Sequence, residues 1–590
     1  MGEKVLFIDP ITRIEGHLGL NAVVDTGNKV VKEAWAFSTM FRGFEVFLRG
    51  REPPDAIHLT SRICGVCAAS HANASVKAND MALGAVPKPF GVVIRNLAWA
   101  VTDHIYDHPT HLNILAGPDY SGAVISKLTP SVYKEAKATK AENSDIHGFS
   151  TVGDLLDGLN PLEGKIYLLA LKMQRLARQA GVLFYGTHPH PRTLIPGGIG
   201  ATVTVDSLIQ YSYRLTKLTA WVKMVVAVWE DIANFYNSIG YERQGMTYEK
   251  PNLLSVGIFD DPETYSTMGE SYEEIYRNVD DAGRKRFIKP GLVLDGELVT
   301  DKLTDMNIGT VELVDRGFYQ DWDTMFVDKD PLGNQVVWGR QDLAKYHPWN
   351  KTTIPNPVAQ NWKEKYTWTG TVRYVWKDGR IRPIEVGPIA RMWVQALHNG
   401  GTVKIELPRT HGVLELPQGT WDPITFEWRI PKVGASTTIE RMRARAYNVA
   451  LDVAAAWHFL LMGLDLAKRG STETSRPWKR PSYAIGFGFD EAPRGSVRHW
   501  MVVENYRIKN YQVHAPTTAN LSPKGRFGAT GPYEQSVIGT AITEEVGPEE
   551  WTGLDLVRAI RSFDPCIACS VHIFVGNRRI EKLVTPMCTV

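Results

Sequence analysis

The chain has 590 residues, 44% of them hydrophobic and 22% charged, with a net charge of +2. That is ordinary globular composition, long enough for a large core and without the basic excess of an electrostatic nucleic-acid binder. Five cysteines exclude a dense disulfide framework and point to a reducing compartment; seventeen tryptophans suit a large core or a large partner interface.

Residues 4–35 alternate in hydrophobicity and predict strands at Lys4–Ile8, Leu18–Val24 and Lys29–Trp35, with the charged turn Thr12-Arg13-Ile14-Glu15-Gly16-His17 between the first two. Phe41, Phe44, Phe47 and Leu48 fit one helix face, which carries Arg42-Gly43-Phe44-Glu45. Arg62-Ile63-Cys64-Gly65-Val66-Cys67 follows, with His71 after it. From Ala68 to Leu115 the pattern is mostly helical, broken at Pro87 and Pro89. His104, His108 and His111 fall on one face if helical, either a zinc row or a partly buried polar face, and Pro109 is expected to interrupt that helix.

A polar, Lys-rich stretch at 124–150 predicts a short helix and a surface loop, and residues 151–186 a leucine-faced helix using Leu155, Leu159, Leu162, Leu168, Leu171 and Leu176. It ends in the rigid Gly186-Thr187-His188-Pro189-His190-Pro191 loop. The clearest periodicity is Leu208, Tyr211, Leu215, Leu218, Val222, Val225, Trp229, Ile232 and Tyr236, which predicts a long core helix in a bundle. Residues 240–390 are richer in Gly, Pro, Asp and aromatics, with short apolar runs at Leu292–Leu294, Thr310–Leu313, Val336–Trp338 and Thr371–Trp376, and read as a β-rich layer. A second long helix, about Thr437–Arg469, presents Ala446, Val449, Ala450, Val453, Trp457, Leu460, Leu461 and Leu464, small enough in part to pack closely on the first. Strand-like runs at Trp500–Val503 and Ile508–Val513 flank Ala492-Pro493-Arg494-Gly495 and Ala515-Pro516-Thr517-Thr518. A last short helix, Leu554–Ile560, leads to Asp564-Pro565-Cys566-Ile567-Ala568-Cys569, followed by His572.

The expected fold is mainly α with β-rich peripheral layers (α+β), a long-helix bundle whose two chain ends meet at a buried metal site. The expected segments are an N-terminal β-rich part (1–60), a helical part with the first cysteine pair (61–240), a β-rich loop layer (241–400), a helical and β part with the second pair (401–572) and an extension (573–590). No secretory signal is visible, and no run of 18 apolar residues occurs, Leu218–Trp229 being broken by Lys223. The chain itself is therefore expected not to span a membrane, and to be cytoplasmic or membrane-associated through a partner.

Each C-x-x-C can aim two thiolates at one metal. Structural zinc is one reading, yet zinc ribbons close within tens of residues, and here nearly the whole chain separates the pairs. A dithiol redox role lacks the β-α-β setting. A catalytic or cluster site for a soft or borderline metal is the third reading. Four thiolates need compensating cations, and Arg13, Arg62 and Arg494 sit in suitable Pro/Gly-bounded motifs, as do Glu15 and Glu45; for any one of them alone, half of a surface ion pair is the better reading.

Taken together and in order, T-R-I-E-G-H (12–17), R-G-F-E (42–45), R-I-C-G-V-C-x-x-x-H (62–71), P-R-G (493–495) and D-P-C-x-x-C-x-x-H (564–572) resemble the large, catalytic subunit of nickel–iron hydrogenases. A related respiratory-complex subunit shares that fold without the four cysteines. The resemblance implies that Cys64, Cys67, Cys566 and Cys569 bind nickel, with Cys67 and Cys569 bridging to an iron carrying CO and cyanide. It implies that His71 hydrogen-bonds a bridging thiolate, that Arg494 hangs over the open metal position with Asp564 and Asp119 nearby, and that Pro493, Arg494 and Thr517 line the cyanide pocket. Glu15 would pass protons to and from a terminal cysteine, while Glu45 and His572 would hold magnesium. Heterolytic cleavage of H2 needs soft metals and a nearby base. The electrons need a second, iron–sulfur subunit, because no cysteines remain here for such clusters. An obligate heterodimer or a larger assembly is implied, served during maturation by a protease and nickel chaperones. Ile573–Val590 would be removed after His572. Ala519 and the long 240–390 region place the chain nearest the actinobacterial-type, oxygen-tolerant uptake subgroup. The alternatives are a hydrogen-sensing regulatory subunit with the same site and a structural four-cysteine zinc protein.

Overall fold

The computed structural model describes residues 2–410, 415–433 and 435–566. Six helices position the site: α1 (Ala68–Ala82), α2 (Pro89–Trp99), α3 (Lys165–Tyr185), α4 (Val205–Ser238), α5 (Thr438–Lys468) and α6 (Leu554–Ser562). In α4 every position of the seven-residue pattern from Leu208 to Tyr236 is buried, as its periodicity predicts. Thr204 caps its first turn by accepting from the Ser207 amide. α5 lies antiparallel against it, with Asn237 bonded to Glu440 at one end and Trp457 to Thr219 further along. Lys223, which breaks the apolar run, is buried; its Nζ donates to the carbonyls of Pro408, Thr420 and Asp422 at 2.7–3.1 Å. α5 is long and apolar enough to cross a membrane. Here it is largely buried in the bundle, and Arg441, Arg443 and Arg445 pair inside the protein with Glu385, Glu230 and Asp564.

Two expectations about helices fail. Pro109 does not stop its helix: helical backbone runs on from α2 to residue 115, because wider π turns at Ala100–Ile105 and His111–Leu115 flank the proline. Such turns relieve the clash and the missing N–H that end an ordinary helix. The leucines of 151–186 form the core face only in part: Leu155 and Leu159 are fully buried, in and just after a separate short helix, Val152–Gly158. Leu162, Leu168 and Leu171 are 72%, 46% and 38% exposed, and α3 buries Ile166, Ala170, Met173, Ala177, Ala180 and Phe184 instead.

The N-terminal strands β1 (Glu3–Ile8), β2 (Leu18–Asp25) and β3 (Val30–Ser38) form an antiparallel sheet whose inner residues Leu6, Leu20, Ala22 and Val24 pack with α6 and Tyr533. Beneath β3 lies the buried carboxyl of Glu534, which accepts from the Ala36 and Lys524 amides at 3.3 Å and from Tyr366 at 2.6 Å. Burial pushes its pKa up to about 7 against these bonds. The 240–390 layer contains short strands at Gly291–Leu294, Thr310–Leu313 and Thr371–Val375 as expected, but Val336–Trp338 is not a strand. Val337 and Trp338 have positive φ there.

β4 (Tyr483–Ala492), β5 (Gly495–Glu504) and β6 (Arg507–His514) form a second antiparallel sheet. Pro493-Arg494 is the two-residue turn between β4 and β5. Gly495 is needed beside it: φ is +127°, and a Cβ would come 2.6 Å from the Gly387 nitrogen. α1 lies directly on β4 because a Cβ at Gly488 would meet the Ala74 carbonyl at 1.8 Å, and one at Gly486 the Ala78 carbonyl at 2.4 Å.

Candidate metal centre

The two ends of the described chain meet. The Glu15 amide donates to the Pro565 carbonyl at 3.1 Å, making a parallel bridge between Glu15 and Cys566, and the Cys566 amide donates to Thr517 Oγ1 at 2.8 Å. Cys64 and Cys67 occupy the turn that opens α1, where the helix N-terminus favours thiolate. The Sγ atoms of Cys64 and Cys67 lie 2.8 Å apart, and each lies 3.4 Å from Cys566 Sγ. These separations exceed the roughly 2.05 Å of a disulfide. All three cysteines are at most 1% exposed. Three buried, converging sulfurs fit a soft or borderline metal. Cys569 and His572 lie outside the described residues.

Fixed charges surround the sulfurs. Arg494 Nη1 donates to Asp107 Oδ2 at 2.6 Å, and its Nη2 lies 3.0 Å from Asp564 Oδ1. Asp564 also meets His111 Nδ1 at 2.9 Å and Arg445 Nη1 at 3.1 Å. Burial opposes its ionisation, but Arg494, His111 and Arg445 together hold it below the usual carboxylate range. Asp107 goes the other way, raised by burial and by Asp564 despite Arg494. Burial also works against the Arg494 charge, yet Asp107, Asp564 and the thiols keep the guanidinium protonated well above its ordinary range. Glu15 is pushed up to about 7 by burial and then by Cys64, with Arg494 and the Gly65 amide pulling down. Pro493 contributes its carbonyl, which accepts from Arg391 and Arg445 at 3.2 Å. His71 is fully buried and lowered to about 4 by burial; its Nδ1 lies 3.0 Å from His499 Nε2.

Other expected residues sit elsewhere. Asp119 does not reach Arg494: it takes Arg561 through both oxygens at 2.7 Å and Arg13 at its Oδ1, tying the N-terminal turn to α6. Beside the expected Asp564, the aspartate on Arg494 is Asp107, which the sequence reading passed over; a second acid (after Asp103) inside an apolar helix was its available signal. Glu45 is placed as a carboxylate beside a cavity of about 50 Å³ lined also by Glu312, Lys351 and Thr369. Its Oε1 accepts from the Val513 amide at 3.1 Å, and its Oε2 pairs with Lys351 at 3.2 Å and accepts from Thr353. The three histidines do not converge on one point. His104 and His108 each lie 3.5 Å from Asp452 Oδ2, with Arg445 3.0 Å from His108 Nδ1, while His111 turns to Asp564.

The chain matches the family described as "Nickel-dependent hydrogenase" over residues 42–156 and 158–572. It is 30% identical to the hydrogenase-1 large chain of Escherichia coli K12, over 96% of this chain and 95% of that one. Its fold is similar to the actinobacterial-type NiFe-hydrogenase of Ralstonia eutropha H16, with 38% identity, a TM-score of 0.90, and 96% of this chain and all of that chain covered. A [NiFeSe] hydrogenase of Desulfomicrobium baculatum gives 25% identity and a TM-score of 0.73, over 97% of this chain and all of that one.

Proposed function

Because this chain belongs to the nickel-dependent hydrogenase family as a large, catalytic subunit, we propose that it oxidises H2 to protons and electrons and passes the electrons to an iron–sulfur small subunit. The observation that carries the proposal is the closure of Cys64, Cys67 and Cys566 into one buried sulfur cluster beneath Arg494, Asp107 and Asp564. Cys569 would complete the ligand set. The centre, when bound, supplies heterolytic cleavage of H2 at nickel and an iron bearing CO and cyanide.

The chain's own residues do the rest. Arg494 is locked between two carboxylates, so its charge faces the sulfur side without a freely rotating side chain. Pro493 and Thr517 would line the same pocket, Thr517 already fixing the Cys566 amide. Glu15 lies one backbone bridge from Cys566 and has a carboxyl that ionises near neutrality, suited to accept a proton at Oε and release it outward. Glu45 and its cavity would take a hydrated magnesium ion together with His572. The family match ends at 572, which supports removal of 573–590 during maturation.

The test is purification of the complex with its small subunit, followed by metal analysis, dye reduction under H2 and hydrogen–deuterium exchange. Nickel and iron with steady turnover are expected; zinc without nickel overturns the reading, and very slow turnover with nickel present points to a hydrogen sensor. Glu15→Gln is expected to keep nickel while exchange falls by about 10²–10⁴. Unchanged exchange removes Glu15 from the relay.

A further inference from the structure

The helix that carries the first cysteine pair begins at Cys67, which occupies the N-cap position of α1. Ser, Thr, Asp or Asn usually stands there, because a short side-chain oxygen accepts from the second or third amide of the helix. Sulfur is a weak acceptor, and here it faces the cluster: Cys67 Sγ lies 2.8 Å from Cys64 Sγ and 3.4 Å from Cys566 Sγ. The oxygen comes from another element. Asp103, in the π turn Ala100–Ile105, takes at Oδ2 both the Ser70 amide at 2.7 Å and the Ser70 hydroxyl at 2.6 Å. Ser70 is the third residue of α1, and its amide is shared with the Cys67 carbonyl at 3.1 Å. Asp103 and Ser70 are fully buried. Four residues after Asp103, Asp107 holds Arg494 at 2.6 Å.

We propose that Asp103 is a positioning residue that caps α1 in place of Cys67, leaving the Cys67 sulfur to the metal and tying the cysteine-bearing helix to the segment that holds Arg494. The proposal rests on the preceding reading, in which the sulfurs bind nickel and iron. The cap needs only an accepting oxygen at one place, whether the carboxyl is charged or neutral. It reaches Ser70 across 33 residues of chain, so it sets where the first turn of α1 sits as well as whether that turn forms. Asp103 and Asp107 leave one stretch of helical backbone toward the two halves of the centre, one to the ligand turn and the other to the guanidinium. The spacing between the Cys67 sulfur and Arg494 therefore runs through a few residues of that backbone rather than through two independent loops. Without the Asp103 oxygen, the buried Ser70 hydroxyl loses its acceptor and the amide keeps only the Cys67 carbonyl, a costly arrangement that the first turn relieves by shifting.

The experiment compares Asp103→Ala and Asp103→Asn with the wild type in the purified heterodimer, by hydrogen exchange of the first turn of α1, by nickel content and by infrared spectroscopy of the iron-bound CO and cyanide. Asp103→Ala removes the acceptor without adding bulk, and Asp103→Asn keeps it. In Asp103→Ala, exchange of the Ser70 amide is expected to rise about tenfold, with less nickel per chain and a shifted or split CO band. Asp103→Asn is expected to stay close to the wild type in all three. Ile275→Ala, in a separate core cluster, reports what lost stability alone does to nickel and bands. Wild-type exchange and bands in Asp103→Ala overturn the proposal and leave the parent reading standing. Bands in Asp103→Asn displaced as far as in Asp103→Ala, or the same changes in Ile275→Ala, overturn it equally. If Asp103→Ala takes up no nickel, exchange of the Ser70 amide and the bands of Asp103→Asn carry the test. Absence of nickel and of such bands in the wild type overturns the parent reading instead, while exchange still decides whether Asp103 is the cap.

Discussion

Arg494 shows how much buried charge this protein tolerates near its sulfurs: one guanidinium, two aspartates and a second arginine meet with side chains at most 1% exposed. Breaking such a group by removing one member typically costs about 3–5 kcal/mol, because a charge stays buried without its partner. Glu534 solves burial differently, by keeping its proton. Its carboxyl ionises near 4.5 when unfolded and near 7 in the fold. The folded chain therefore binds the extra proton in that window, so stability falls as pH rises from about 4.5 to 7 and stays lower above it, by about 3 kcal/mol for the whole shift. Glu534→Gln keeps the shape and the acceptor for Tyr366 but cannot ionise. Its melting temperature is expected to fall less than wild type between pH 5 and pH 8; parallel curves would sink this account.

α1 depends on two missing side chains. Gly488→Ala puts a methyl 1.8 Å from the Ala74 carbonyl, a backbone atom that cannot step aside. The expected outcome is a destabilisation of roughly 1–3 kcal/mol and a larger loss of nickel, since Cys67, His71 and Ser75 all move with α1. Gly547→Ala, which meets nothing within 4 Å, is the neutral control. Equal nickel in the two variants would count against the close-packing argument. Elements of this kind differ in how openly the sequence shows them. α4 was readable because its apolar positions keep one period over nine residues from Leu208 to Tyr236, all of them buried. α3 was not: its true core face, Ile166 to Phe184, keeps the regular steps, but half of that face is alanine, and the more conspicuous leucines drew the reading away from it. Pro109 misled for a related reason, since a local rule about proline cannot foresee two flanking π turns. At the site, the cysteine spacing and the P-R-G turn pointed to the right elements. The choice between Asp107 and Asp119 depended on where a helix and a turn 12 residues apart finally pack.

On the scale of the whole molecule, Asp119 acts as a clamp between distant parts. It joins Arg13 of the first turn to Arg561 of α6, and Arg561 also reaches the Thr12 carbonyl at 2.8 Å. Asp119→Asn leaves Arg561 buried without its carboxylate, while Arg13, about one-third exposed, regains water. A cost of about 3 kcal/mol is expected, together with lower nickel occupancy, because the clamp holds the turn that carries Glu15 against the segment that carries Cys566. Full nickel with lowered thermal stability would mean that the clamp serves the fold alone.

The bridge between Glu15 and Cys566 also sets a clock. Residues from the start of synthesis must wait for ones made some 550 positions later, roughly half a minute to two minutes at about 5–20 residues per second on the ribosome. During that interval the first cysteine pair is already translated while its counterpart does not exist. The sulfur cluster can therefore close only once Cys566 has been made, long after Cys64 and Cys67.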